Sequence, residues 1–520
     1  MPREIITIQV GQCGNQIAMK FWDLALREHL SRGILFDDSM SSFFKNEADN
    51  DFCNNTNNIC ESNNFNNIEY AKNPILKARS LIVDTEEGVI NQLLKSDLGK
   101  LFDDMHFIKG VSGAGNNWAH GHYYYGPKYK DSILQKINKL LEECDSPQCF
   151  MFTQSLGGGT GSGLGTYILN VLNEYYTDIF KFNVTVFPSD DDDVITSPYN
   201  TILSLNELIN NSDCVMPVDN ESLIDICNKV EKETKNENKN NTINNSKIKN
   251  NNIIELPKLI GGKFVKNNNN TTKNDNSNLN NYTSEKVVLN NKEKPFDKMN
   301  SIVANLLCNF TCSMRFEGKL NVDINDITMN LVPFPRLHFI ASSISPLYHV
   351  LDKKLEPRKS DQIFSDIFNK NYQLISMDNF NQGVYLASAL IARGDLTISD
   401  INYNISKLKS LAGNNKIRMV HWNNEGFKIG LCDQPPVNMK YGLLCLANTT
   451  AISDCFTKIT QRFKRLYKVK AHIHHFSEYM NVENFDISDN NLTSLTNEYI
   501  NIGYHKSNNK NIKDTIKPYV

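Results

Sequence analysis

The stretch "SLGGGTGSGLGT", residues 155–166, decides how the rest of the chain is read. It follows the apolar run Cys149-Phe150-Met151-Phe152 and leads into Tyr167-Ile168-Leu169. This order predicts a strand, a tight loop and then a helix. Glycines let a backbone turn sharply and bring successive N–H groups against an anion, and the helix that follows adds its positive N-terminal end. The expected ligand is therefore a phosphate. No Gly-Lys-Ser/Thr follows, so the loop is not a Walker A loop, and its glycines do not fit the G-x-G-x-x-G dinucleotide register. ATPase and dehydrogenase readings both weaken. The plain alternative is a glycine turn that only packs a helix.

Working outward, strand-like runs alternate with helical ones upstream of residue 229, which predicts an α/β sheet. Glu4–Val10 and Ser80–Asp84 are two more strands, and each ends in a loop containing Gly, Asp or Glu. Ligands of open α/β sheets sit beyond the carboxyl ends of the strands, so these loops are expected to converge on one site. From about 229 to 295 the chain is rich in Asn and Lys and poor in aromatics, which predicts disorder. A shorter Asn-rich stretch at about 46–69 reads as an expanded loop, and the apolar patch Ile253–Ile260 as a piece that docks. Lys319–Leu446 mixes strands and helices. Thr450–Lys470 reads as the last ordered part, a docked helix with Ile452, Phe456, Ile459, Phe463 and Leu466 at spacings of four and three.

The 520 residues suffice for two to four domains. A charged fraction of 22% and a net charge of -3 give no reason to expect nucleic acid or an anionic membrane as partner. The N-terminal apolar run is too short for a signal peptide and no later one is long enough to cross a bilayer, so a cytosolic chain is expected. Twelve cysteines without paired CxxC spacing suit thiols in a reducing compartment, with Cys53 and Cys60 incidental.

The pattern Gly-Gly-Gly-Thr-Gly-Ser-Gly, residues 157–163, resembles the signature of the superfamily of tubulins and bacterial division proteins. "GQCGNQI" at 11–17, "SGAGNNWAHGH" at 112–122, "NLVPFPRLHF" at 330–339 and "ANTTAI" at 447–452 carry the resemblance toward the eukaryotic tubulins. "FWDLALREH" at 21–29, "DDVITSPYN" at 192–200, "KPFDKMNSIVANLL" at 294–307 and "SSISPLY" at 342–348 are most similar to the epsilon subfamily. The resemblance implies a tubulin-like α/β fold: an N-terminal parallel-sheet nucleotide-binding domain, a mixed α/β intermediate domain and a C-terminal helical region. The expected division is a GTP-binding domain over 1–228 with its Asn-rich loop, an insert over 229–295, a core helix and intermediate domain over 296–446, and C-terminal helices with a short basic tail over 447–520.

Carried over residue by residue, the resemblance implies a site for GTP and Mg2+. Gln12 and Cys13 open the first helix against the phosphates, and Gln16 faces the nucleoside. The backbone of Gly158, Gly159, Thr160, Gly161 and Ser162 cradles the phosphates, with Ser155 and Thr160 as hydroxyl donors and Asn116 in support. Asp84 and Glu86 suit a water-bridged Mg2+. Asn220 and Asn300 read the guanine edge, Phe296 stacks on its face, and Asp193 lies in the ribose loop. Where the family has a ribose-binding Glu, this chain has Ser197, so a charged sugar contact is missing. The acidic run Asp190–Asp193 is the nearest substitute, although such runs are commonly solvated turns. Gly113 resembles the exchangeable-site type.

Hydrolysis in the family is completed in trans by an acid from the next subunit, and Asp326 in "NVDINDITMN" matches that position. Aspartate is one methylene shorter than the usual glutamate, and a misplacement of about 1 Å can cost on the order of a hundredfold in rate. His472, His474 and His475 invite a metal reading, but no carboxylate or cysteine is spaced to complete a site. The basic face Lys458, Arg462, Lys464, Arg465, Lys468 and Lys470 suits an acidic partner or a solvated helix surface, and no Glu-rich tail follows it.

The function implied is that of a GTP-binding cytoskeletal protein, a structural subunit or cap at centrioles or basal bodies that supports doublet or triplet microtubules. The alternative is a GTPase subunit of dynamic microtubules. Expected partners are other tubulin subunits through longitudinal contacts, with delta-tubulin a candidate, and centriolar or basal-body proteins, but neither nucleic acid nor membrane. A metabolic enzyme on a similar sheet lacks a base or nucleophile constellation.

Overall fold

Strand β1, Glu4–Val10, is buried along its whole length, as the centre of a parallel sheet requires. The computed structural model describes residues 3–31, 38–46, 75–189, 192–241, 258–260, 263–265, 296–347, 360–378, 380–410, 417–437 and 439–504. From β1 the chain enters helix α1, Gly11–Leu30. A short antiparallel pair, β2 (Phe44–Asn46) and β3 (Leu76–Ala78), leads to β4, Ser80–Asp84. Helix α2 (Gly88–Lys95), β5 (Phe107–Lys109), α3 (Gly126–Glu142) and β6 (Pro147–Ser155) follow. Then come α4 (Gly165–Tyr175), β7 (Phe180–Phe187), α5 (Ser197–Asn211), β8 (Cys214–Asp219) and α6 (Asn220–Asn241).

Six strands pair in the order β5-β4-β1-β6-β7-β8, every pair parallel. This is the doubly wound order, which reverses between β1 and β6. Alternate strand residues feed two cores. Ile5, Ile82, Met151 and Val184 pack under α1 with its Ile17, Phe21 and Trp22. Ile6, Ile8, Leu81, Phe150 and Phe152 pack under α3, α4 and α5 through Ile133, Ile168 and Ile202.

Beyond α6, a small antiparallel pair, β9 (Lys258–Ile260) and β10 (Lys263–Val265), takes up the end of the apolar patch. Helix α6 itself continues past residue 228, the expected end of the first unit, to Asn241. The rest of the segment expected to be disordered, the Asn-rich loop with Cys53 and Cys60, and the basic tail beyond Tyr504 all lie outside the described residues.

Helix α7, Asp297–Phe310, is buried at every residue from Ile302 onward, between the first sheet and a second one. Helix α8 (Ile324–Leu331) leads into that second sheet, built from β11 (Ala341–Ser345), β12 (Tyr385–Gly394), β13 (Phe427–Cys432) and β14 (Tyr441–Thr449). Its order is β11-β14-β12-β13, with β12 and β13 parallel and the other pairs antiparallel. Ser360–Ile367 and Ile398–Ser410 form helices that cover its outer face through Ile363, Phe364, Ile401 and Ile405.

The helix expected over Thr450–Lys470 is present at Ser453–Lys468, but it is not the last ordered part. A further helix, Glu483–Tyr504, packs beside it by burying Phe485, Leu492, Leu495, Tyr499 and Ile502. Its Asn-rich sequence hides that stripe. The basic face of the preceding helix is partly neutralised, Lys458 by Asp378 at 2.9 Å and Lys464 by Asp489 at 3.1 Å.

One buried ion cluster ties the two sheets together. The Glu28 carboxylate, near the end of α1, accepts from Arg315 Nη2 at 2.6 Å and from Arg393 Nη1 of β12 at 2.8 Å. All three side chains are buried. The Arg315 and Arg393 guanidinium groups also reach the Cys308 carbonyl at the end of α7.

Candidate functional site

The carboxyl ends of β1, β4, β6 and β7 open onto one cavity of about 420 Å³ at the reversal of strand order. That volume suits a nucleotide-sized ligand. Gly11, Gln12 and Cys13 contribute the first turn of α1, and Ser155 with Gly157–Gly161 the loop after β6. Backbone crowds backbone here. A Cβ on Gly14 would lie 2.1 Å from the Thr153 carbonyl oxygen, so α1 meets β6 at a distance only glycine permits.

Polar contacts fix the loop from behind. Asn200 Nδ2 donates to both the Asn116 and Gly157 carbonyls at 2.8 Å, and Thr196 Oγ1 donates to the Asn116 carbonyl at 2.8 Å. The Thr85 and Thr160 hydroxyls share a hydrogen bond at 2.5 Å. Beneath the loop, the His122 ring stacks on Trp118 with centroids 4.4 Å apart and meets the Gly163 carbonyl at 3.3 Å. Burial pulls His122 down to about 4, so the ring is neutral near pH 7. Burial pushes the Cys13 thiol up to about 12, leaving an uncharged thiol toward the phosphate end.

Asp84 and Glu86 both line the cavity. Desolvation raises the Asp84 carboxyl to about 6, partly opposed by hydrogen bonds from the Glu86 backbone N–H and Asn15 Nδ2. Gly113 has φ +69, and a Cβ there would lie 2.5 Å from Glu86 Oε1. Glu86 therefore fills the space that an acid at 113 would take. Two carboxylates beside a phosphate-suited loop are a donor set that fits Mg2+.

The opposite end is built from side chains. Gln16 and Ile17 of α1, Asn220 and Leu223 of α6, and Phe296, Met299, Asn300 and Val303 at the start of α7 surround it. Flat apolar surface flanked by amide groups fits an aromatic base. Phe296 is 57% exposed and has φ +72, a left-handed conformation that turns the chain into α7. Between the ends, Val186, Pro188, Asp192, Asp193 and Val194 make the wall.

The structure thus brings together Gln12, Cys13, Gln16, Asp84, Glu86, Asn116, Ser155, Gly158, Gly159, Thr160, Gly161, Asp193, Asn220, Phe296 and Asn300. Ser162, expected through its backbone, and Asp326, expected to act on a neighbouring subunit's nucleotide, do not line this cavity. Ser162 is buried behind the loop because its hydroxyl turns back to donate to the Gly158 carbonyl. Asp326, on α8, sits 3.6 Å from Lys428 of β13 and does not line the cavity. Ser197 also points away, donating from Oγ to Asp192 Oδ2 at 2.7 Å. Sequence reasoning missed Leu223, Met299 and Val303, although each lies within one helical turn of an expected base-end residue.

Among the described residues, no set of three His, Cys, Asp or Glu side chains is arranged to hold a metal, His472, His474 and His475 included. Nor is any described helix long and apolar enough to cross a membrane.

Two family models match the chain. One is described as Tubulin/FtsZ family, GTPase domain, over residues 4–228, and the other as Tubulin C-terminal domain, over residues 335–461. The tubulin epsilon chain of Mus musculus is 43% identical over 507 residues, 96% of each chain. That of Homo sapiens is 43% identical over 499 residues, 95% of each chain. The tubulin beta-1 chain of Chondrus crispus is 31% identical over 505 residues, 97% of this chain and 94% of the relative.

Proposed function

The chain belongs to the tubulin family, and on that premise we propose that it is a GTP-binding structural subunit or cap that works at centrioles or basal bodies and supports doublet or triplet microtubules. The GTPase domain of the family implies GTP binding, and membership implies a cytoskeletal role with other tubulin subunits as partners. The observation that carries the reading is the cavity at the sheet's reversal point, with a glycine-backbone end for phosphates and an amide-and-aromatic end for a base. The relatives are tubulin epsilon chains, and the centriolar setting, with delta-tubulin and centriolar or basal-body proteins as candidate partners, is part of the proposal that follows from the resemblance to that subfamily.

In this reading Gln12, Cys13 and the Ser155–Gly161 loop bind the phosphates, and Asn220, Asn300 and Phe296 bind guanine. Asp84 and Glu86 would hold Mg2+, which supplies positive charge against the phosphates. Asp326 is assigned to the next subunit's nucleotide, where it orients water. Unchanged GTP turnover in assembled Asp326→Ala protein removes that assignment. The parts of the fold are read as the first sheet with its helices, the second sheet with its helices and the paired C-terminal helices, with α6 crossing the expected boundary at 228 and β14 that at 446.

The deciding experiment is to denature the purified chain and identify the released nucleotide by ion-exchange chromatography. GTP at near one per chain supports a subunit that waits for a partner to complete hydrolysis. GDP supports the turnover expected of a dynamic, polymerising GTPase. Well-folded protein that releases and rebinds no guanine nucleotide overturns the reading.

A further inference from the structure

The following inference rests on reading the cavity as a guanine-nucleotide site. A ribose joining a base beside Asn300 to phosphates beside Gly158 must cross the wall made by Val186, Pro188 and Asp192–Val194. It presents hydroxyl donors there, and the groups that answer them best are carboxylates. The described wall offers two, Asp192 and Asp193.

Their surroundings differ. Asp192 Oδ2 accepts from Ser197 Oγ at 2.7 Å, and Oδ1 faces the Val194 backbone N–H at 3.4 Å. Ser197 is only 2% exposed and occupies the first turn of α5, so the group that aims Asp192 is itself fixed. No comparable pair of contacts holds Asp193 among the described residues. A Cβ on Gly157 would lie 2.9 Å from Ser197 Oγ and 3.0 Å from Asp192 Oδ2, which puts this pair against the start of the phosphate loop. A carboxylate offers about four acceptor positions, so Asp192 keeps two for a ligand after Ser197 and Val194 are served. Asp192 also lines a neighbouring cavity of about 300 Å³ that includes Arg462 and Arg465, so the carboxylate stands between the nucleotide cavity and a basic one.

We infer that Asp192 is the ribose-recognising carboxylate of this chain and that Ser197 is its positioning residue. The acid acts from the loop, and the serine at the head of α5 holds it in place.

The test compares equilibrium binding of GTP and of 2′,3′-dideoxyguanosine triphosphate to the full chain. The wild type is expected to prefer GTP by about tenfold to a hundredfold. In Asp192→Asn that preference falls below about threefold while the affinity for the dideoxy analogue is kept, which also reports an intact fold. Ser197→Ala gives an intermediate preference, and adding it to Asp192→Asn loses nothing more, because the serine acts only through the aspartate. A preference that survives Asp192→Asn overturns the inference and leaves the site standing. Failure of wild-type protein to bind either nucleotide overturns the reading of the site itself, and the inference with it.

Discussion

The two ends of the cavity are made of different material. At the end proposed for phosphates the glycine loop lines the cavity with backbone, and the packing behind it is so close that Gly14 has no room for a methyl group. At the base end the contacts come from side chains on α6 and α7, and Phe296 is more than half exposed. The first end therefore fails as a unit, whereas the second yields one contact at a time. Backbone geometry cannot be trimmed, but a side chain can be.

The sharpest attempt to break this contrast is Gly14→Ala. A Cβ 2.1 Å from the Thr153 carbonyl oxygen forces α1 off β6, at a cost on the order of 4 kcal/mol or more. Denaturant unfolding should show that loss, and purified protein should carry no nucleotide. Retained stability and nucleotide would mean the end is more compliant than its geometry.

Next in size is a pH effect beneath the same loop. The folded His122 ring, at about 4, holds a proton less tightly than the unfolded one near 6.5. The stability it contributes is complete above about pH 6.5 and is lost as pH falls toward 4. Between pH 7 and 5 the loss is about 2 kcal/mol. Asp84 works with the opposite sign, since its folded carboxyl is raised, so the reading is the difference between proteins. Melting curves of His122→Gln should fall less steeply with acid than those of the wild type, and parallel slopes would contradict the assignment.

At the base end, Phe296→Ala should weaken GTP about tenfold through lost stacking and leave the melting temperature unchanged. A large drop in melting temperature would show that this end too is structural. The smallest effect is expected at Ser162→Ala. Its hydroxyl serves the Gly158 carbonyl and not the cavity, so nucleotide affinity should stay within about threefold and stability should fall by about 1 kcal/mol. A loss of affinity as large as that of Phe296→Ala would return Ser162 to the ligand.

The same contrast governs what could be read before the structure. Glycines and strand-end acids announce a backbone-built end, because few other sequences permit such turns, and the loop, Gln12 and Asp84 were legible for that reason. The neighbours Leu223, Met299 and Val303 have ordinary helix residues' identities, and only the approach of α7 to α6 turns them toward the cavity. The helix Glu483–Tyr504 stayed hidden because its buried positions are separated by Asn, Asp and Ser. The Glu28 cluster joins residues 28, 315 and 393, a pairing that no local pattern encodes.

That cluster has a mechanical meaning. Helices α1 and α7 both start at the cavity, α1 with Gln12 and Cys13 and α7 with Met299 and Asn300, and both finish where Glu28 meets the two arginines. A 20-residue helix such as α1 is a rod roughly 30 Å long and stiff along its axis. Two rods pinned together at the far end, with β12 fastened to the same pin, form a truss. In such a truss the cavity and the second sheet are joined through two helices and a buried ion cluster.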